Sequence, residues 1–113
     1  MIIVRIIMNA LPEKQKEVMQ TLVSMIEPTG KEKGCLGYEV FRDVEDKNLF
    51  SLIEEWETRD DLKRHMRSDR FTVLLGIKSL LCEPSKIRIH TVSHTEGMEA
   101  IHAARESKIS LIK

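Results

Sequence analysis

The chain reads as an α+β domain with the element order βαββαβ and a short helical extension after it. Three observations predict this. Residues 34–56 carry two runs of period-two alternation separated by an Asp/Lys/Asn-rich connection, which is a β-hairpin signal. Apolar residues recur at helical spacing after Pro12 and again after Thr58. A β-branched run lies at each end of this core, Ile2–Met8 and Lys86–Val92.

The first run, Ile2–Met8, is apolar on both faces except at Arg5, so it predicts a strand inside the sheet rather than at its edge. Pro12 suits the first turn of a helix, and Val18, Leu22, Met25 and Ile26 form its apolar stripe. Pro28 and Gly30 are expected to end that helix, with Lys31–Lys33 as a polar link. In the hairpin, Leu36, Tyr38 and Val40 alternate with Gly37, Glu39 and Phe41. After the turn Val44–Asn48, Phe50, Leu52, Glu54 and Trp56 alternate with Leu49, Ser51, Ile53 and Glu55. Thr58 is placed to cap a second helix, about Arg59 to Ser68, with Asp60 and Asp61 where the helix dipole favours negative charge. Leu62, His65 and Met66 share its inner face. A further helical stretch, Phe71–Leu81, offers Phe71, Leu74, Leu75 and Leu81 as apolar contacts. Glu83-Pro84-Ser85 is a turn before the last strand. This order is that of the ferredoxin-like fold, a four-stranded antiparallel sheet with both helices on one face. It places residues 1–93 in the domain and 94–113 in a C-terminal extension, with a helix from Thr95 or Glu96 through Glu106. The apolar tail SKISLIK is expected to dock on a neighbouring subunit. The helices leave one sheet face bare, and its apolar residues need a cover. An isologous homodimer supplies one.

Composition excludes several function classes. At 113 residues, 42% hydrophobic and 32% charged, the chain is one globular domain. Lys plus Arg and Asp plus Glu number 18 each, so no basic field draws in nucleic acid, and 4% aromatic residues offer no base-stacking platform. The apolar run Met1–Met8 is broken by Arg5 and falls far short of the roughly 20 residues that span a bilayer. No signal-peptide pattern follows it, so the expected location is cytoplasmic. Cys35 and Cys82 show no metal or disulfide spacing. His90 and His94 lie four residues apart; on a strand that is about 13 Å, too far to share one ion. No metal is expected.

The stretch Leu49–Phe71 combines an apolar strand, Glu54-x-Trp56, a polar cap, a short helix with His65, and Ser68-Asp69 before Phe71. With Gly34-Cys35-Leu36-Gly37-Tyr38 and the proline-started first helix, it resembles the antibiotic biosynthesis monooxygenase (ABM) domain family of dimeric α+β barrels. The resemblance covers about residues 2–93. That family includes quinol and polyketide monooxygenases, haem-degrading enzymes, isomerase-like signal-processing proteins and members of unknown role. The polyketide-oxidising members carry an Asn and a Tyr where this chain has Leu52 and Leu62, so only Trp56 matches. The haem-degrading branch carries its proximal His where Leu75 stands and a Trp where His65 stands. Asn9 falls about two residues out of register with that branch's first-strand Asn. His65 with Glu54 and Trp56 is most similar to the quinol-oxidising and uncharacterised members.

His65 is accordingly the candidate catalytic base. Imidazole, with an ordinary pKa near 6.5, is suited to taking the proton of a phenol or quinol. The bland alternative is a helix histidine that fastens the helix to the sheet. Trp56, Glu54, Tyr38 and Phe50 are the candidate substrate-binding residues: the indole stacks on an aromatic ligand and Glu54 orients a donor group. The structural alternatives are a Trp56 that plugs the sheet edge, a Glu54 paired with Arg5, Arg42 or Arg88, and a Tyr38 that is simply sheet packing. The expected function is a cofactor-independent monooxygenase of a small aromatic quinol or phenol. The alternatives are a non-catalytic ligand-binding or stress-related dimer and an isomerase- or lyase-like enzyme on the same fold.

Overall fold

A computed structural model describes the backbone of residues 1–112 and the side chains of residues 1–106. Its strands are β1 (Ile2–Asn9), β2 (Cys35–Arg42), β3 (Leu49–Trp56) and β4 (Lys86–Thr91). Its helices are α1 (Gln15–Ser24), α2 (Ile26–Gly30), α3 (Arg59–Met66), α4 (Asp69–Gly76) and α5 (Met98–Ile112). The sheet is antiparallel throughout, in the order β2-β3-β1-β4, so the apolar first strand is indeed interior.

Register decides which side chains share a face. Ile2, Val4, Ile6 and Met8 lie opposite Trp56, Glu54, Leu52 and Phe50, and all eight are buried beneath the helices. Tyr38 and Val40 extend that face onto β2. Val18, Leu22 and Met25 cover it from the first helical segment, Leu62 and His65 from α3, and Leu74 and Ile77 from α4 and the 3-10 turn after it. The opposite face carries Ile3, Arg5 and Ile7 of β1, Ser51, Ile53 and Glu55 of β3, and Glu39 and Phe41 of β2, and no helix among the described residues covers it.

Local chemistry explains the boundaries. Asp43 accepts the backbone N–H groups of Glu45 and Asp46, and Asp46 accepts that of Asn48, closing the hairpin turn. Thr58 accepts the Asp61 N–H at 3.1 Å and caps α3; Ser68 accepts the Phe71 N–H at 3.2 Å and caps α4.

Four expectations need correction. Pro28 and Gly30 do not end the first helix. The chain breaks at Met25 and resumes as α2, with Pro28 in its first turn, where a missing N–H leaves no bond unmade. Leu36 does not share a face with Tyr38: the β2–β3 register shifts between Cys35 and Gly37, and this bulge turns Leu36 out to solvent. Leu75 is 52% exposed, because Leu74 takes the inward position of that turn. The last helix begins at Met98 rather than Thr95 or Glu96. Through residue 106 this helix is almost wholly exposed, Met98 and Ile101 included. The apolar tail expected to dock, residues 107–113, lies outside the described side chains. No helix among the described residues is long and apolar enough to cross a membrane.

Gly34 fixes how the link between α2 and β2 meets α3. Its φ is +81°, and a Cβ there would lie 2.1 Å from the Asp61 carboxylate. Gly34→Ala is therefore expected to cost at least about 2 kcal/mol, combining the left-handed penalty with the clash. Urea denaturation of the two proteins checks this; an unchanged midpoint would mean that the link relaxes freely.

Candidate functional site

The site is assembled by one strand, one helix and one link. Glu54 and Trp56 alternate onto the helix-covered face of β3, and both are 0% exposed. The Trp56 indole N–H donates to Glu54 Oε1 at 2.9 Å. The cap at Thr58 starts α3 so that His65, in its last turn, lies over the indole. The ring centroids are 4.6 Å apart and the planes meet at 29°. His65 Nε2 is 3.6 Å from Glu54 Oε1, while Nδ1 lies 3.0 and 3.1 Å from the two carboxylate oxygens of Glu32. Glu32 in turn pairs with Arg70 of α4 at 3.0 Å.

These four groups form a file of alternating charge that runs outward: Glu54, His65, Glu32, Arg70. Their side-chain exposure climbs from 0% through 4% and 17% to 41% along it. A carboxylate buried in a strand centre needs a counter-charge, and His65 supplies it. Burial alone would lower the His65 pKa. The hydrogen bonding and charge of Glu54, followed by those of Glu32, outweigh it and raise the pKa above 6.5. The other Glu54 oxygen, Oε2, is buried with no hydrogen-bond partner among the described residues. Burial and the neighbouring Glu54 charge push the Tyr38 phenol well up, so it stays protonated. Burial also raises Cys35, against the bond that its thiol donates to the Gly37 carbonyl, which argues against a thiolate nucleophile there.

Of the predicted residues, the structure brings His65, Glu54 and Trp56 into direct contact. Tyr38 stands beside Glu54 across the β2–β3 ladder, its hydroxyl donating to the Met25 sulfur at 3.6 Å. Phe50 is not part of the cluster: it lies six residues from Trp56 along β3, about 20 Å away, with the Arg42 guanidinium 5.5 Å from its ring centre. No arginine pairs with Glu54. Arg5 and Arg88 lie on the opposite sheet face, and Arg42 is engaged by the Lys47 carbonyl and Gln15. Glu32, Arg70 and Phe71 were missed as site residues. Glu32 reads as one charge of a polar link, and nothing in the sequence singles out Arg70; only the fold brings them to His65.

Phe71 packs edge-on against His65, with centroids 5.5 Å apart, and its ring also forms a wall of a cavity of about 310 Å³. That cavity opens between β1, α4 and β4; Ile6 forms its floor, and Leu74, Leu75 and Ile87 line its sides. The arrangement is an occluded proton-holding cluster next to an apolar hollow, with one aromatic ring between them.

Residues 1–74 match the sequence model of the antibiotic biosynthesis monooxygenase family. An uncharacterised protein of Synechocystis, sll1783, is 28% identical over 88 residues; the match takes in 77% of this chain but only 60% of that protein's length. A conserved protein of Methanosarcina mazei Go1 is 33% identical, with a TM-score of 0.74, over 79% of this chain and 89% of that one. A structure described as an antibiotic biosynthesis monooxygenase is 26% identical, with a TM-score of 0.76, over 83% of this chain and all of that one.

The raised pKa of His65 makes stability depend on pH. The imidazolium form is favoured in the folded chain, so its contribution is complete below the unfolded value of about 6.5 and is lost as pH rises through the higher folded value. Urea midpoints measured between pH 6 and pH 9 should therefore fall more steeply in the wild type than in His65→Gln. An NMR titration should show a histidine signal, absent from His65→Gln, with its midpoint above 6.5. Parallel pH profiles for the two proteins would refute the pairing.

Proposed function

The chain belongs to the antibiotic biosynthesis monooxygenase family, and from that premise we propose that it oxidises a small aromatic quinol or phenol without a bound cofactor. The observation that supports this reading is the outward-running file Glu54–His65–Glu32–Arg70 beside an apolar cavity. The aryl ring lies in the cavity and its hydroxyl passes Phe71 to meet His65. Neutral His65 takes the hydroxyl proton, and Glu54 and Glu32 stabilise the imidazolium that forms. The electron-rich anion then reacts with O2 at a ring carbon that bears hydrogen, opposite the hydroxyl in a phenol and next to the hydroxyl-bearing carbon in a 1,4-quinol. One oxygen atom takes that hydrogen's place on the ring, which ends as a quinone, and the other leaves as water. The substrate supplies all four electrons. Trp56 holds the imidazole plane and Tyr38 walls the cluster on the β2 side; both position rather than react.

A second reading has its own support. His65, Glu54 and Trp56 are closed to solvent, as befits a clamp between α3 and the sheet in a ligand-binding protein that performs no chemistry. An isomerase-like reaction would use the same base without oxygen.

We propose further that the chain works as a homodimer joined through the uncovered sheet face. Arg5 lies directly across from Arg88, and neither has an ion-pair partner among the described residues. Like charges facing each other on adjacent strands are unfavourable. The β2–β3 half of the same face carries Glu39 and Glu55. A two-fold axis brings the basic half of one sheet onto the acidic half of the other and covers Ile3, Ile7, Ile53 and Phe41.

An oxygen electrode with a panel of reduced benzo- and naphthoquinones tests the oxidation. Wild type should consume oxygen, at a rate that rises with pH through the His65 titration, and His65→Ala should lose about 10²- to 10⁴-fold. Full turnover in His65→Ala rules out the base. Product formed under nitrogen favours an isomerase, and no turnover with any compound favours the clamp. Sedimentation tests the dimer: Ile53→Arg should convert it to monomer with the fold retained, and a wild type already monomeric at micromolar concentration would exclude it.

A further inference from the structure

We propose that the cavity between α4 and β4 is a binding site for an aryl carboxylate, with the ring held against Phe71, Leu74 and Ile87 and the acid group held by Lys78. Its volume of about 310 Å³ falls at the small-molecule end of ligand sites and suits a one- or two-ring compound. Apart from Lys78 and Ser85, the residues that line it are apolar. Lys78 makes no ion pair among the described residues, so its ammonium is available to a ligand. Half-buried Ser85 also lines the hollow, and its hydroxyl offers a hydrogen bond to a ligand there. Leu75 and Ile87, which flank the cavity, are 52% and 46% exposed, an apolar surface that a flat ring would cover.

The two ends of the hollow differ in chemistry. Lys78 follows Phe71 by seven residues along α4 and the turn after it, about 10 Å, so the hollow has a cation toward one end and toward the other an aromatic wall in contact with His65. A ligand that satisfies both ends is a hydroxyaryl carboxylic acid, its acid group kept at Lys78 and its hydroxyl delivered toward the buried imidazole. This names the substrate class of the oxidation proposed above and rests on that reading for its catalytic part; the binding preference does not depend on it.

Isothermal titration of the full chain with 2-naphthoate and with its neutral isostere 2-naphthamide tests the site. Naphthoate should bind about fivefold tighter than the amide, the effect of one exposed charge pair. Lys78→Met should abolish that preference while leaving amide affinity unchanged, and Ile87→Trp, which fills the hollow from the sheet edge, should weaken both. Equal affinity for acid and amide, a preference that survives Lys78→Met, or no binding of either compound overturns the proposal. Acid-selective binding without oxygen uptake overturns the oxidation alone. Oxygen uptake with a hydroxynaphthoate at a KM that Lys78→Met leaves unchanged overturns the acid site alone.

Discussion

The buried carboxylate of Glu54 is the constraint on which the rest of the site depends. A charge in the middle of a strand, with Trp56 beside it and the main core around it, is unfavourable by several kcal/mol unless it is paired. The pairing requires a cation from the helix layer, which obliges α3 to place His65 above β3 and nowhere else. His65 in turn lies almost wholly out of water and needs a partner at its other nitrogen. Glu32 meets that need, and Arg70 balances Glu32 near the surface. Each charge in the file makes the next one necessary. The result ties β3, α3, α4 and the link before β2 to a single cluster.

The backbone devices of the fold serve that geometry. Thr58 caps α3 and fixes its rotation, so that Leu62 and His65 face the sheet together. Gly34 lets the link press against Asp61 of the same helix, which brings Glu32 within reach of the imidazole two residues earlier in the chain. The bulge at Leu36 then turns the start of β2 so that Cys35 lies across from Trp56 while Tyr38 still lies across from Glu54. These are local features with a distant effect. They orient α3 and the link relative to β3, and the proton-holding cluster follows.

Much of this was legible in the sequence, and the reason differs from residue to residue. The strands showed because the sheet buries one face of β3 and β1 through alternate residues, and α3 showed because Thr58 and its two aspartates mark a helix start. His65, Glu54 and Trp56 were singled out because each is an unusual residue type on an otherwise apolar face. Glu32 could not be found in this way: it lies between Lys31 and Lys33 in a polar link, and nothing in that pattern distinguishes a surface charge from one turned inward. The break at Met25 was hidden for a related reason. Pro28 stops a helix only where its missing N–H is needed, and the local rewinding into α2 removes that need.

A buried ion cluster is weak support for stability, because apolar residues of similar volume commonly hold a core as well or better. What it provides that an apolar core does not is a proton held in a dry place between groups that compete for it. Here that place adjoins a hollow of small-molecule size, and the Phe71 ring is common to both. A clamp whose sole task was to fasten α3 would need no hollow. The unpartnered Oε2 of Glu54 points the same way, since a purely structural carboxylate gains by having both oxygens bonded. The strongest physical case for chemistry at this site is therefore the combination of an unsaturated acid, an imidazole with a raised pKa and an adjacent apolar space. None of the three carries it alone.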